Sequence, residues 1–291
     1  MINGFMNLYK PSLITSNKAL CILKYHLKQN NIITKVGHLG TLDPLAEGVL
    51  PIALGRATRL FDYTLDKTKI YEASFDFGYI TDTLDSTGIT LETTKNIPTK
   101  EQILGIIPLL IGEIDQMPPK YSAKSINGVR AYKLARDGQE FELNPKKIQI
   151  YSIELLEQTT DTCFSFKIKC SGGTYVRAIA RDMASKLDSL AVMNKLIRLA
   201  SGIFSIDNAT KLAVIEENCN FDDIIMPMDS ILTKMESVVV DKSFEKKLLN
   251  GVPILLENLP QNDFKVFFDD KLIGIGNKDI NNKLFIKTWL L

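Results

Sequence analysis

The chain alternates strand-like and helix-like segments without a regular strand–helix–strand repeat. "YEASFDFGY" (71–79) has the alternation of a strand, and "KIQIYSIELLEQ" and "TCFSFKIKCSGG" are typical of two strands that pair. "TYVRAIARDMASKL" (174–187) is typical of a helix, with Ile179, Met183 and Leu187 four apart on a buried face. Because a parallel α/β sheet needs a regular alternation, this irregular order favours an α+β core.

The first third of the chain is predicted to begin with a helix. Ser16 can cap a helix that buries Leu20, Leu23 and Leu27 and ends near Asn30. The segment "GVLPIALGRATRL" then resumes as a strand or a short helix. The glycine-rich stretch between them, "GHLGTLD", is predicted to be a loop.

The length of 291 residues suggests one large domain and a small one, because single domains usually hold about 100–200 residues. The pattern breaks near residues 226–234. The segment "FKVFFDDKLIGIG" after this break resembles a hairpin that turns at Asp269 and Asp270. We therefore expect a first domain over 1–232 and a small β-rich domain over 233–291.

Composition excludes several classes of protein. Hydrophobic content of 45% with 24% charged residues is ordinary for a globular protein. The N-terminus has no basic segment followed by an apolar run, and no apolar stretch is long enough to span a bilayer. Four scattered cysteines without paired histidines argue against a zinc site and fit reduced thiols. We expect a cytoplasmic protein with no metal and no membrane partner.

The net charge of +1 does not indicate nucleic-acid binding, so any such binding needs a local patch. The stretch 118–138 supplies one, with five basic residues, one acidic residue and two tyrosines that can stack on bases. The candidate RNA-binding residues are Lys120, Tyr121, Lys124, Arg130, Tyr132, Lys133 and Arg136. The alternative is a solvated helix face with ordinary tyrosines. On the patch alone, this alternative is the favoured interpretation.

Asp43 is the most unusual acid in the sequence, because it follows glycines and leucines and precedes a proline. In an apolar site its carboxylate would need a nearby cation to stay ionised, and Arg177 could be that cation. An ionised, shielded carboxylate is suited to nucleophilic attack or to accepting a proton. A turn at Asp-Pro is the simpler interpretation of Asp43 on the bare sequence. In isolation His38 is typical of a loop residue, and Tyr71 of a packed strand aromatic.

Five motifs in order extend this interpretation. The segment "KVGHLGTLDPLAEGVLPIALGRATRL" closely resembles the catalytic motif of the TruB family of pseudouridine synthases, the bacterial enzymes that act on uridine 55 of tRNA. The resemblance continues through "YKPSLITSN", "KIYEASFDFGYITDTLDSTG", "QMPPKYSAKSINGVRAYKLARDG" and "CSGGTYVRAIARDMA". Together these motifs cover roughly the first two-thirds of the chain.

The resemblance implies roles for individual residues. Asp43 matches the essential catalytic aspartate, and Arg177 matches the arginine that pairs with it. Tyr71 matches the tyrosine that stacks on the target base and helps to remove a proton from C5. His38 matches the histidine that helps to disrupt the T-loop, and Lys10 lies in the lysine–proline motif that lines the same cleft.

The resemblance also implies a fold and a partner. The fold would be the pseudouridine synthase core, a mixed, mostly antiparallel sheet with a central cleft, followed by a small PUA-like domain. A segment at about 112–140 would embrace the T-stem-loop of tRNA. Neither a cofactor nor an obligate protein partner is implied.

Three departures and two alternatives accompany this resemblance. Leu39 and Glu47 replace threonines that are common in the family, and Gly172 stands where lysine or serine is frequent. Glu47 adds negative charge near an RNA site. The alternatives are a synthase of the same core that acts on another RNA, and a non-catalytic protein that folds tRNA. Attack at C1′, addition at C6 and proton abstraction from C2′ all remain open as chemical routes.

Overall fold

The computed structural model describes residues 2–63, 67–122, 124–126, 128–217 and 220–291. The strands of the first 226 residues are β1 (Gly4–Lys10), β2 (Val36–His38), β3 (Glu47–Leu54), β4 (Lys69–Phe77), β5 (Tyr79–Thr81), β6 (Thr90–Thr93), β7 (Gly112–Gln116), β8 (Ser125–Ile126), β9 (Val129–Arg130), β10 (Lys146–Gln158), β11 (Cys163–Cys170), β12 (Ala191–Ser201), β13 (Phe204–Ser205), β14 (Thr210–Lys211) and β15 (Ile225–Met226). The remaining strands are β16 (Ser237–Val239), β17 (Ile254–Leu255), β18 (Phe264–Phe268), β19 (Lys271–Lys278) and β20 (Lys283–Trp289).

Helices lie between these strands. The α-helices are α1 (Ser16–Gln29), α2 (Lys100–Ile106), α3 (Ala131–Arg136), α4 (Val176–Ser185), α5 (Leu212–Glu216), α6 (Phe221–Ile224) and α7 (Glu245–Leu249). Short 3-10 helices span Gly55–Tyr63, Ile107–Leu110, Ile206–Asn208, Met228–Ile231 and Lys242–Phe244. No helix in the described ranges is long and apolar enough to cross a membrane.

One large sheet forms the first part of the molecule. Among the described residues it contains eleven strands, and its main path runs β14-β1-β3-β12-β4-β11-β10-β7. The pairs β1–β14 and β3–β12 are parallel, and the other pairs of the sheet are antiparallel. The predicted α+β class with a mixed, mostly antiparallel sheet is therefore confirmed.

The centre of the large sheet is β4, which pairs with β11 along one edge and with β12 along the other. The predicted pairing of the two strands around residues 147–173 is confirmed, because β10 and β11 are antiparallel neighbours. Helices α1 and α4 contribute to the core with Leu20, Leu23, Leu27, Ile179 and Met183, all of which are buried. Strand β3 is buried along nearly its whole length, as its continuous apolar run predicts.

The start of α1 differs from the prediction that Ser16 is its cap. Thr15 is the N-cap, and its hydroxyl accepts a hydrogen bond from the Lys18 amide at 3.0 Å. Ser16 is the first helical residue, and its hydroxyl instead bonds the backbone of Leu42. Thr and Ser both satisfy the free amides of a first turn, so the sequence could not decide between adjacent candidates.

A second sheet follows near the C-terminus, with the strand order β16-β18-β19-β20-β17 in the described residues. Asp269 and Asp270 connect β18 to β19 with φ values of 50° and 59°. Two successive left-handed residues are the geometry of a tight hairpin turn, so the predicted hairpin is confirmed. The predicted boundary after residue 232 falls between the last strand of the large sheet, which ends at Met226, and the first strand of the second sheet.

The two sheets share an apolar cluster, which we call the intersheet cluster. It contains Phe5, Val49, Ala53, Ala57, Leu60, Phe204, Ile231, Leu232, Met235, Ile275 and Leu290. The 3-10 helix beginning at Gly55 adds polar contacts to β20 and the residue after it. Arg56 Nη1 donates to the Leu290 carbonyl at 3.2 Å, and Arg59 Nη1 donates to the Trp289 carbonyl at 2.7 Å. The second sheet is thus bound directly to the first.

Candidate active site

The loop between β2 and β3 carries Asp43. Hydrogen bonds from Ser12 and Ser16, where the chain enters α1, fix the backbone of this loop. The Ser16 hydroxyl donates to the Leu42 carbonyl at 2.9 Å and accepts from the Leu42 amide at 2.8 Å. The Ser12 hydroxyl donates to the Leu45 carbonyl at 2.8 Å. These contacts on both sides of Asp43 leave its backbone little freedom to move.

Asp43 combines the two interpretations that its sequence allows. Its backbone carbonyl accepts from the Ala46 amide at 3.1 Å, which is the turn expected at Asp-Pro. Its side chain forms an ion pair with Arg177, with 2.9 Å between Oδ2 and Nε. The side chain of Asp43 is 37% exposed, whereas Arg177 is buried. The carboxylate is therefore oriented by a buried cation and accessible from one side.

The two remaining nitrogens of the Arg177 guanidinium bond two further parts of the chain. Nη1 donates to the Thr83 carbonyl at 2.7 Å, and Nη2 donates to the Tyr121 carbonyl at 3.1 Å. Helix α4, which carries Arg177, is held at its start by the Gln116 side chain, which bonds both the amide and the carbonyl of Tyr175. Every nitrogen of the guanidinium has a partner, so this side chain has one defined position.

Asp85 is a site residue that we did not predict. Its Oδ2 lies 3.8 Å from Arg177 Nη1, whereas Asp43 pairs with Nε of the same guanidinium. Its Oδ1 accepts from the hydroxyls of Thr83 and Thr87 at 2.8 and 2.6 Å and from the Thr87 amide at 3.1 Å. The available signal was the spacing of threonines two residues on either side of an acid, which is typical of a carboxylate held in its own turn.

Tyr71 lies on β4, opposite Ile168 of β11 and Arg198 of β12. The side chain is buried, and burial raises the pKa of its phenol, an effect that the Arg198 charge partly opposes. The charge of Asp43 also acts on this phenol, raising its pKa further. Tyr71 is therefore a neutral aromatic residue within electrostatic reach of Asp43.

Lys10 does not line an open cleft, in contrast to what the resemblance implied. It is 0% exposed, and its ammonium donates to the carbonyls of Pro11, Ile14 and Pro44 at 2.8, 2.7 and 3.4 Å. Burial lowers the pKa of Lys10 to about 8, against the opposing effect of Asp43 and Glu47. Lys10 therefore connects β1 to the loop that carries Asp43.

His38 ends β2, on the strand that leads into the same loop. Its Nδ1 is buried and has no hydrogen-bond partner among the described residues. Burial lowers the pKa of His38, and the charge of Arg198 lowers it further. The imidazole is therefore neutral at pH 7 and retains an unused polar atom.

The basic stretch forms the hairpin β8–β9 and helix α3, with two kinds of environment for the candidate residues. Tyr121 and Lys124 are partly buried, and Lys124 Nζ donates to the Asn144 carbonyl at 2.7 Å. The Arg136 guanidinium lies 5.8 Å from the centre of the Tyr132 ring. The exposed members are Lys120, Arg130, Tyr132, Lys133 and Arg136.

Two arginines of α4 bind the beginning of this basic stretch. Arg177 bonds the Tyr121 carbonyl, and Arg181, one turn further along, donates from Nη2 to the Met117 carbonyl at 2.9 Å. A cleft with a cavity volume of about 1060 Å³ lies between the stretch and the turn that holds Asp85. Apolar side chains, among them Ile80, Leu84, Leu91, Pro119, Tyr121 and Phe141, line it together with three acidic and two basic residues, Asp82, Glu140, Glu142, Lys120 and Arg181. The site therefore combines a paired carboxylate with an adjacent basic and aromatic surface.

No group of three or more His, Cys, Asp or Glu residues in the described part of the chain is arranged to hold a metal ion. Three of the four cysteines, Cys21, Cys163 and Cys170, are free thiols, and Cys219 lies outside the described residues.

The fold is shared with proteins of known structure. One is the structure of an H/ACA RNP bound to a substrate RNA containing 2′-deoxyuridine, with a TM-score of 0.69 and 21% identity over 99% of this chain and 85% of that chain. Another is the crystal structure of a Cbf5-Nop10-Gar1 complex, with a TM-score of 0.71 and 22% identity over 99% of this chain and 85% of that chain. These similarities confirm the predicted pseudouridine synthase fold.

Sequence comparison assigns the family. The model of the TruB family pseudouridylate synthase (N terminal domain) matches residues 26–176. The protein named tRNA pseudouridine synthase B of Clostridium tetani is 41% identical over 95% of this chain and 96% of its own length. The protein of that name from Alkaliphilus oremlandii is 35% identical over 100% of this chain and 98% of its own length. The chain belongs to the TruB family of pseudouridine synthases.

Proposed function

We propose that this protein isomerises uridine to pseudouridine in tRNA, at position 55 of the T-loop. The observation that carries the proposal is the ion pair between Asp43 and Arg177, which orients an accessible carboxylate in a fixed loop. The relatives named tRNA pseudouridine synthase B, matched over nearly the whole chain, support tRNA as the substrate. A tRNA substrate would place the protein in the cytoplasm.

The reaction conserves every atom of the nucleotide. The bond between N1 and C1′ breaks, the base turns, and a bond forms between C5 and C1′. C5 then loses its proton and N1 gains one, so the balance requires no oxidant, reductant or cofactor. Attack of Asp43 at C1′, its addition at C6 and its abstraction of a proton from C2′ all fit an oriented carboxylate.

The uridine must leave the base stack before this chemistry can occur, at a cost of a few kcal/mol. Tyr71 would stack on the flipped base through the face of its aromatic ring. His38, at the end of β2 beside the Asp43 loop, would hold a neighbouring nucleotide out of the stack. Lys10 contributes by fixing the loop.

The T-stem-loop would bind against the basic stretch. Lys120, Arg130, Lys133 and Arg136 are exposed and can neutralise phosphates, and Tyr132 is available for stacking. Because Arg177 and Arg181 bond the carbonyls at the start of this stretch, RNA that binds there is linked mechanically to the arginine that orients Asp43. Binding and chemistry thus share a common support in α4.

The decisive experiment is the substitution Asp43→Asn, assayed with tRNA transcripts by mapping pseudouridine at single-nucleotide resolution. We expect single-turnover isomerisation to fall at least about a thousand-fold, because the amide can neither attack nor accept a proton, with tRNA affinity within about three-fold of wild type. Asp161→Asn makes the same chemical change at an exposed turn between β10 and β11 and should leave both quantities unchanged.

Three results would contradict the proposal. Normal turnover by Asp43→Asn would remove Asp43 from the mechanism. Wild-type protein that refolds tRNA without forming pseudouridine would favour the non-catalytic alternative. Pseudouridine formed only in another RNA would favour a synthase with a different substrate.

A further inference from the structure

Arg198 is a buried cation that the roles proposed so far do not use. It lies on β12 and is 2% exposed, which makes it the largest fully buried side chain among the described residues. No carboxylate in the described parts of the chain lies within ion-pair distance of its guanidinium. A buried charge without a counter-charge is costly, so its hydrogen-bond partners must account for its position.

The hydrogen bonds of Arg198 reach both ends of the loop that carries Asp43. Nη2 donates to the Gly40 carbonyl at 3.2 Å and Nη1 to the Thr41 carbonyl at 3.4 Å, both just before Asp43. Nε donates to the Val49 carbonyl at 2.6 Å, in the strand after the loop. One planar group therefore closes the loop at its base.

The backbone around Arg198 is built for this close approach. Gly48 pairs with Arg198 in the parallel ladder between β3 and β12, and it has a φ of +102°. A Cβ at Gly48 would clash with the backbone carbonyl oxygen and nitrogen of Arg198. Only glycine allows the two strands to approach this closely.

Arg198 also lies beside Tyr71 of the neighbouring strand. The two residues are directly opposite each other in the pairing of β4 with β12, and the charge of Arg198 lowers the pKa of the Tyr71 phenol. The charge of Arg198 also acts on His38 and Lys10, lowering the pKa of each. Arg198 is thus the point at which the Asp43 loop and Tyr71 meet.

We propose that Arg198 is a positioning residue for the isomerisation, which fixes the Asp43 loop and the Tyr71 hydroxyl relative to each other. This inference rests on the proposed function. Its physical basis is that a misplacement of about 1 Å between groups that act on one base can cost about a hundred-fold in rate. The competing explanation is that Arg198 only supports the sheet. A supporting residue would affect stability, but it would not lower the rate selectively or depend on the Tyr71 hydroxyl.

The test measures single-turnover isomerisation, tRNA affinity and Tm for Arg198→Lys and Arg198→Gln. Lysine keeps the charge but cannot reach three carbonyls in one plane, and glutamine keeps a single donor nitrogen without the charge. We expect both to lower the rate at least about ten-fold, with tRNA affinity within about three-fold of wild type. Arg56→Lys is the matched control, because Arg56 also donates to a backbone carbonyl but faces the second sheet, away from Asp43. It should leave the rate unchanged.

A double-mutant cycle with Tyr71→Phe isolates the coupling. If Arg198 acts partly through the Tyr71 hydroxyl, the effect of Arg198→Lys on the rate should be at least about three-fold smaller in the Tyr71→Phe protein. Equal effects in both backgrounds would overturn the proposal, as would a wild-type rate in either folded variant, or a loss of rate fully explained by lower affinity or unfolding. An inactive wild-type protein would instead refute the proposed function.

Discussion

At the scale of single residues, the site depends on buried cations whose partners come from distant parts of the chain. The sequence indicated Asp43 and Arg177, because each lies in a recognisable motif. It did not indicate Arg198, because the partners of Arg198 are carbonyls of Gly40, Thr41 and Val49. Every residue has a carbonyl, so no side-chain pattern marks such a contact before the fold is known.

Lys10 gives a prediction for the dependence of stability on pH. Its pKa is about 8 in the folded protein and returns to its ordinary, higher value on unfolding. Between about pH 8 and 10 the unfolded chain therefore binds more protons at this site, and folding stability from this group rises with pH. The difference in Tm between wild type and Lys10→Met should shift in favour of wild type from pH 7 to pH 9.5.

The control for this measurement is Lys24→Met, which removes an exposed lysine of α1 and corrects for the change in net charge. A difference between wild type and Lys10→Met that stays constant across this pH range, once corrected, would mean that the buried amine keeps its proton.

At the scale of elements, strands with clear alternation and the hairpin at Asp269 were predictable from local sequence, because their patterns are set by neighbouring residues. Helix α2 ends at Ile106 and is followed by a 3-10 helix over Ile107–Leu110, which contains Pro108. Strand order in the large sheet was not predictable, because β12 inserts between β3 and β4 from more than a hundred residues away. Contacts between strands so far apart in sequence form only when the whole chain packs.

The basic stretch gives a prediction at this scale. Replacing Lys120, Lys133 and Arg136 together by glutamine should reduce the slope of log affinity for tRNA against log salt by about 2–3, because each lost phosphate contact removes about 0.7–0.9. The slope is measured by filter binding at several salt concentrations.

The matched control replaces Lys18, Lys24 and Lys28 of α1, which are exposed and make the same change in net charge. An equal reduction in slope from both triple variants would show that the basic stretch has no special part in RNA binding.

At the scale of the whole molecule, the intersheet cluster makes the two sheets depend on each other. Residues from both sheets fill it, and Arg56, Arg59 and Tyr63 bond the end of the chain. The sequence indicated two domains but gave no sign of this interface, because its apolar residues have the same periodicity as any other core positions.

Two adjacent leucines test this interface. Leu290 is 2% exposed within the cluster, whereas Leu291 is 43% exposed. Leu290→Ala should lower the free energy of unfolding by about 2–5 kcal/mol, and Leu291→Ala by less than about 0.5 kcal/mol. Urea unfolding, followed by circular dichroism and by the fluorescence of Trp289, measures both. Similar losses in the two variants would contradict the role given to the cluster.

The pairing of β4 along both of its edges also determines how firmly Tyr71 is held. Hydrogen bonds along both edges of β4 prevent its backbone, and hence Tyr71, from shifting unless two neighbouring strands open as well. Its amides should therefore be among the last to exchange with deuterium.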